Sequence, residues 1–476
     1  MSRYRVLSNT GWILLGSGFN KVSSIVLLYV LSRYLGADGF GKFSFAFLYI
    51  AFFSSIAEFG LTPILIRYVN AYPEKAGEVQ GKGIIIGLIF TCAAILLSYG
   101  GAFMLNYEAD IRYLILITSL TLLISFRDVT FRWILEVPFR AGLKMVYPAI
   151  LGILSELLGL ASILFVIYKE GSIDAIITVY VLSSLPGFFI LILLSVGSIR
   201  PSFRRGSISA YNIIQEAIPI GLSNILSIIY LVIGSLILFQ FKGANDVGYY
   251  ALAFRLTTSL RIIPEAMMHS AFPILLKSYF EDPMRIKIIF KDAVKYGALL
   301  AFPLAFGAIV ISPALAVLLG GNNFQPAAAA LAIMIWATFF AFFNTILRFT
   351  FNAISLQRYN LWVSVIMVAA SVILSLLFIP DYGLIGASYA LVFSEAIGLL
   401  FGLIIARPYE LILPIKIMGR YLIASFVMAA VIWFLPFLAV QIFVGALVYL
   451  IVAFVIGGIE KEDILKLFYI SKATAK

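Results

Sequence analysis

The feature that most constrains this chain is a succession of apolar runs of about twenty residues, each ended by a short polar break. Coiled as a helix at 1.5 Å per residue, about twenty residues match the ~30 Å hydrocarbon core of a bilayer. The hydrophobic share is 62% and the charged share 12% of 476 residues. A soluble domain carries about 25% charged residues, and a core of this size could not bury so much apolar surface. A membrane β-barrel would show alternation over stretches of about ten residues instead. The pattern predicts an all-α integral membrane protein.

Reading the runs between breaks predicts about 14 transmembrane helices. They lie near residues 8–31, 41–66, 83–105, 111–133, 145–167, 173–195, 213–240, 247–275, 296–319, 327–350, 360–379, 383–405, 415–436 and 438–459. With the N-terminus placed in the cytoplasm, 26 of the 34 Lys and Arg residues fall on the inner side and five on the outer side. The remaining three, Lys21, Arg255 and Arg261, lie within spans. This is the positive-inside bias, so the net charge of +11 reports orientation rather than affinity for nucleic acid. Both termini are expected in the cytoplasm, in a plasma or inner membrane. The first run follows Arg3 and Arg5 as a signal peptide would, but it is too long and lacks an A-x-A cleavage site, so it is read as a retained first helix.

The remaining composition narrows the chemistry. A single cysteine, Cys92, excludes a disulfide framework and a cysteine-based metal centre. A single histidine, His269, excludes HExxH and multi-histidine sites. No cofactor is expected, and a coupling proton or sodium ion is left open. The outer connections are short, which leaves no loop to house the active site of a membrane glycosyltransferase or polymerase.

A repeat runs through the chain. Residues Gly36 to Phe47 (GADGFGKFSFAF) recur as Gly243 to Phe254 (GANDVGYYALAF), an offset of 207. Asn20-x-x-Ser23 matches Asn224-x-x-Ser227, and Pro63-Ile64-Leu65 matches Pro273-Ile274-Leu275, at offsets of 204 and 210. The repeating unit is about six helices. Six is even, so both copies enter the membrane in the same direction and a pseudo-two-fold axis along the membrane normal relates them. The expected domains are a six-helix lobe over 1–197, a basic cytoplasmic connector over 198–212, a second six-helix lobe over 213–406, and a helix pair with a cytoplasmic tail over 407–476. Two such lobes suit alternating access to a shared cavity.

An ionised side chain in a span costs about 2.5–3.5 kcal/mol on insertion scales, so each should face protein or water. On the eighth helix Arg255, Thr258, Arg261, Glu265 and His269 share one face. Arg261 and Glu265, four apart, are spaced to pair, whereas Arg255 has no partner at helical spacing. Lys21, Arg255 and Arg261 are the candidate substrate-binding residues, because guanidinium and ammonium groups attract phosphate oxygens; structural salt bridges are the other reading. Glu58 and Glu265 are related by the repeat offset and, with Asn20 and Asn224, are candidates for ion coupling or gating; packing ion pairs are the alternative.

The segments Leu35-Gly36-Ala37-Asp38-Gly39-Phe40-Gly41-Lys42-Phe43 and Glu58-Phe59-Gly60-Leu61-Thr62-Pro63, with Ile66-Arg67, resemble the start of the prokaryotic polysaccharide-transport, or oligosaccharide flippase, family. Val247-Gly248-Tyr249-Tyr250 with Phe272-Pro273-Ile274-Leu275, and Gly383 to Ser388, resemble its later helices. That family belongs to the multidrug, oligosaccharidyl-lipid and polysaccharide exporter superfamily. The resemblance implies two six-helix lobes and a flippase that moves an isoprenoid-(pyro)phosphate-linked oligosaccharide to the outer leaflet for cell-surface glycan synthesis. It further implies that the partners are the lipid-linked substrate, membrane lipids and glycan-assembly enzymes, and that helices 13 and 14 line a groove for the lipid tail. The competing expectation is a cation-coupled multidrug exporter of the same fold, whose cavity should be acidic and aromatic.

Overall fold

A computed structural model describes residues 3–127, 129–204, 206–281 and 283–459. The expected tail beyond Ile459 lies outside the described residues. Ten helices among those described are long and apolar enough to cross a membrane. Two of them, Gly18–Ala71 with 54 residues and Gln357–Tyr409 with 53, are each about 80 Å long if straight, more than twice the ~30 Å core of a bilayer. Each bends at a glycine that leaves helical geometry, Gly36 (φ 65°, ψ −171°) and Gly383 (φ 52°, ψ −127°). A left-handed φ costs glycine nothing and other residues about 1–2 kcal/mol. These two points are the expected boundaries between spans one and two and between spans eleven and twelve.

Four spans depart from the uniform helices that hydropathy suggested. The second is interrupted between Glu58 and Leu61, and the sixth between Leu182 and Leu185. The eighth is divided into Ala244–Ser259 and Ile262–Glu281. The fourth is expected over 111–133, but its helix runs through Ala109–Ser119 and Thr121–Ile124 and then stops. The chain continues through turns and two short helices, Arg132–Leu135 and Val137–Ala141. Apolar content alone could not reveal this break, because the irregular segment is itself apolar and buried: Phe131, Ile134, Leu135, Val137 and Phe139 are all in the core.

The described residues form two compact units, divided between Gly248 and Tyr249. In the first, Leu28, Leu31, Phe40, Phe45 and Leu61 are fully enclosed, and helix Ala210–Lys242 packs on the N-terminal helix, with Phe239 stacked on Phe45 at 3.7 Å between ring centroids. In the second, Phe290, Phe342, Phe343, Tyr421 and Ala424 form a core from helices Pro283–Gly320, Ala327–Ala353 and Ile415–Trp433. Leu96, Phe165, Phe443 and Val455 are exposed on outer faces, as apolar residues that meet lipid should be.

The backbone carries the repeat. Gly243 (φ 78°, ψ −167°) has nearly the same conformation as Gly36, 207 residues earlier. The equivalent segments also meet reciprocally: a Cβ on Gly41 would overlap the Ala244 carbonyl, and a Cβ on Gly248 would overlap the Ala37 carbonyl. The stretch 198–212 is tied to the helix of the third expected span at two points. Ser202 N–H donates to the Gly77 carbonyl at 2.7 Å, Ile208 N–H to Glu78 Oε1 at 2.8 Å, and Lys82 bonds both Glu78 and the Ile208 carbonyl.

Candidate functional site

The first unit contains a cavity of about 500 Å³. Trp12, Gly16 and Asn20 of the first helix line it, together with Ser54 and, from the irregular segment, Arg127, Arg132, Trp133, Glu136 and Arg140. Arg127 is paired with Glu156 behind the cavity wall, while Arg132 and Arg140 share the single carboxylate of Glu136, which leaves the cluster with one cation in excess. The break in the fourth span places them there, since a continuous helix would spread Arg127, Arg132 and Arg140 along about 20 Å.

Each arginine is held differently. Arg127 has all five donors engaged: Nε on Glu156 at 2.7 Å, Nη1 on the Tyr180 carbonyl and Ser184 Oγ, and Nη2 on the Ser155 carbonyl and Ser183 Oγ. Its guanidinium lies over the Tyr180 ring, 3.7 Å from the centroid. Arg127 therefore acts as a brace among helices Val146–Tyr168, Ile173–Leu182 and the residues that follow. Glu136, only 1% exposed, sits between Arg132 and Arg140, one helical turn away on either side. Arg140 spends Nε (3.1 Å) and Nη2 (2.6 Å) on this carboxylate and stacks on Trp133.

The other sequence-derived candidates of this unit are scattered. Asn20 lines the cavity, Lys21 beside it is exposed, and Asn224 is half-buried. Glu58, 2% exposed, accepts the backbone N–H groups of Gly60 at 2.8 Å and Thr62 at 2.7 Å. It caps helix Leu61–Ala71 where the second span breaks, satisfying donors that a new helix start leaves open. Arg140 lies within its electrostatic reach. Near the far end of this helix, Arg67 pairs with Glu216, which also accepts from the Tyr68 hydroxyl at 3.0 Å.

In the second unit, Arg261 stands in the break between the two halves of the eighth span. Its Nη2 meets Glu395 Oε1 at 2.8 Å. Asn344 donates to the other oxygen of Glu395 at 2.7 Å and to the Glu395 carbonyl at 3.0 Å. Glu265 is bonded by Arg348, one turn after Asn344. Arg255 is half-buried on the helix that leads to the break. Single-helix spacing suggested an Arg261–Glu265 partnership; packing instead gives each residue a partner on another helix.

The sequence reading missed the arginine cluster of the first unit and the centrality of Glu395. Arg127, Arg132 and Arg140 counted as cytoplasmic topology markers. The available signal was Arg132-x-x-x-Glu136-x-x-x-Arg140, a charge pattern at helical spacing in an otherwise apolar stretch.

A second cavity, about 470 Å³ and almost wholly apolar, lies in the second unit. Leu256, Leu260, Leu304 and Leu331 line it with Met428 and Ile432 of helix Ile415–Trp433 and Ile442 and Gly445 of helix Leu438–Val455.

This is the architecture of a helical membrane transporter with charged groups buried among its spans. The Polysaccharide biosynthesis protein family matches residues 6–278, more than half of the chain, and the chain belongs to that family. It is 24% identical over 430 residues to a probable flippase AglR of Haloferax volcanii, covering 87% of this chain and 86% of that protein. It is 24% identical over 408 residues to a putative O-antigen transporter of Shigella flexneri, covering 80% and 93%. In fold it is similar to the lipid II flippase MurJ in an inward closed conformation, with a TM-score of 0.76, 19% identity and coverage of 93% and 98%. An inward-facing multidrug resistance MATE family transporter matches with a TM-score of 0.63 at 16% identity, covering 81% and 95%.

Proposed function

We propose that the protein flips an isoprenoid-(pyro)phosphate-linked oligosaccharide from the cytoplasmic to the outer leaflet of a plasma or inner membrane by alternating access, with both termini in the cytoplasm. The observation that carries this reading is the set of enclosed arginines paired with buried acids among apolar helices, in a chain whose relatives are named as flippases and an O-antigen transporter. Arginine at depth is costly, and its forked donors match phosphate oxygens. The phosphate groups engage Lys21, Arg255 and Arg261; Asn20, Asn224, Glu58 and Glu265 act in gating or coupling. The lipid tail takes the apolar cavity beside helices 13 and 14, whose lining supports that role. No covalent bond changes, so the protein is a transporter and not an enzyme, and glycan-assembly enzymes are its expected neighbours. A multidrug exporter would be served by an acidic cavity, whereas at the cavity in the first unit two arginines share one glutamate and the third is already paired with Glu156.

The test is reconstitution in liposomes with a fluorescent lipid-linked oligosaccharide. Flipping should exceed that of empty vesicles, and Arg255→Ala and Arg261→Ala should each slow it by about tenfold or more, the kinetic equivalent of losing ~1.4 kcal/mol. Flipping no faster than in empty vesicles rejects the reading.

A further inference from the structure

We infer that the cavity of the first unit is a sugar-binding site, in which Trp12, Asn20, Ser54, Trp133 and Arg140 hold an uncharged pyranose ring of the substrate's glycan. This rests on the flippase reading above and gives the glycan a site of its own, apart from the residues assigned to the phosphate groups.

The first helix is built to face this cavity. Asn9, Trp12, Gly16 and Asn20 are spaced three, four and four apart, which puts them on one stripe of helix Arg3–Glu58. Asn9 Oδ1 accepts the Met145 backbone N–H at 2.8 Å, and a Cβ on Gly16 would lie in ordinary contact with Ala149, so the stripe is fixed against the start of helix Val146–Tyr168. It carries Trp12 and Asn20 to the cavity, where the irregular end of the fourth span brings Trp133 and Arg140.

These side chains have hydrogen-bonding capacity to spare. Among the described residues, no protein group bonds the Asn20 amide, the indole N–H of Trp12 or Trp133, or Nη1 of Arg140. Ser54 Oγ donates to the Ala51 carbonyl at 2.7 Å, which leaves its lone pairs to accept. Arg140 is held through Nε and Nη2 by Glu136 and lies 4.2 Å from the centre of the Trp133 ring, so Nη1 is presented in a fixed direction.

The charge balance selects the class of ligand. Arg127 is paired with Glu156, Arg132 and Arg140 with Glu136, and Glu58 is in electrostatic reach of Arg140. Acids already meet the arginines, so a phosphate would compete with them for the same donors. What the cavity offers instead is a mixture of donors and acceptors beside two indole rings. A pyranose matches both, because each hydroxyl donates and accepts and the C–H face of the ring is apolar enough to lie on an aromatic surface. The volume of about 500 Å³ falls within the ~300–1,000 Å³ of pockets that enclose small ligands. On this reading the gating role of Asn20 is a response to the sugar.

The experiment uses the full-length protein in lipid nanodiscs. Its probe is the free oligosaccharide released by mild acid from the lipid-linked oligosaccharide of the source cells, so neither phosphate nor lipid contributes to binding. Calorimetric titration should show saturable binding to the wild type, weakened about tenfold in Asn20→Ala and in Trp12→Leu. Neither side chain is bonded by a protein group among the described residues, so both variants should keep the wild-type melting temperature. Inorganic pyrophosphate should not displace the oligosaccharide. Absence of binding to the wild type, or binding that either substitution leaves unchanged, overturns the inference; displacement by pyrophosphate also overturns it, because the cavity is then an anion site. The flipping assay reads the other proposal separately. A protein that flips the lipid-linked oligosaccharide but does not bind the free one loses this site alone, and one that binds it with the expected variant pattern but flips nothing loses the flippase reading alone.

Discussion

At the scale of single residues, the arginines of this protein do two different jobs, and hydrogen-bond geometry separates them. Arg127 has no donor to spare and holds three chain segments together; Arg140 and Arg261 each lean on one carboxylate. Arg127→Lys, which keeps the charge and discards the fork, should destabilise the protein by about 2–4 kcal/mol, read as a lower melting temperature in detergent. Glu136→Gln strips the shared partner from Arg132 and Arg140 and should cost about 3–5 kcal/mol in the same measurement. Gly41 and Gly248 are constrained by contact rather than by φ. Gly41→Ala or Gly248→Ala forces a methyl group into a carbonyl, at a cost of about 1–3 kcal/mol or more because the obstacle is backbone.

At the scale of elements, the breaks matter more than the helices. Gly36→Ala has open space around its Cβ, so its penalty should be backbone strain alone, about 1–3 kcal/mol in a region of φ and ψ that is nearly reserved for glycine. Its melting curve beside that of the wild type checks this. The short helix Arg407–Tyr409 ends at Glu410, whose carboxyl is held below its usual range by a hydrogen bond from Lys287. Its folded value is depressed, so the contribution is present above the unfolded value, about 4.3, and is lost as the pH falls through the folded one. Lys287→Met should therefore lower the melting temperature near neutral pH and converge with the wild type under acid conditions; a difference that persists in acid contradicts the assignment.

At the scale of the whole molecule, the two units differ in how their buried charge is arranged. The first surrounds a cavity with a cluster in which two arginines share one acid; the second sets single arginines against single acids around Asn344. Duplication explains the shared glycine breaks at Gly36 and Gly243, whereas the charge patterns have diverged. On the proposed reading, an anionic substrate should bind less tightly as salt rises, and the flipping assay in liposomes at stepped ionic strength measures it. Arg261→Gln should then reduce the slope with salt, since one cation fewer engages the phosphate groups.

The sequence by itself determined the membrane and the succession of apolar helices, because both follow from a local quantity, the length of the apolar runs. It also marked the charged positions, since an ionised residue in a span is conspicuous wherever it points. Only the tertiary structure decided who meets whom. The spacing of Arg261 and Glu265 pointed to one helix, but Glu395 is 134 positions away along the chain and reaches Arg261 through packing. The fourth span ended at Ile124 although its composition continued unchanged, because hydropathy measures whether a segment is buried and not whether its backbone is helical. Partnership between buried charges is a property of the three-dimensional neighbourhood, and it alone distinguishes a brace such as Arg127 from an arginine that a ligand can claim.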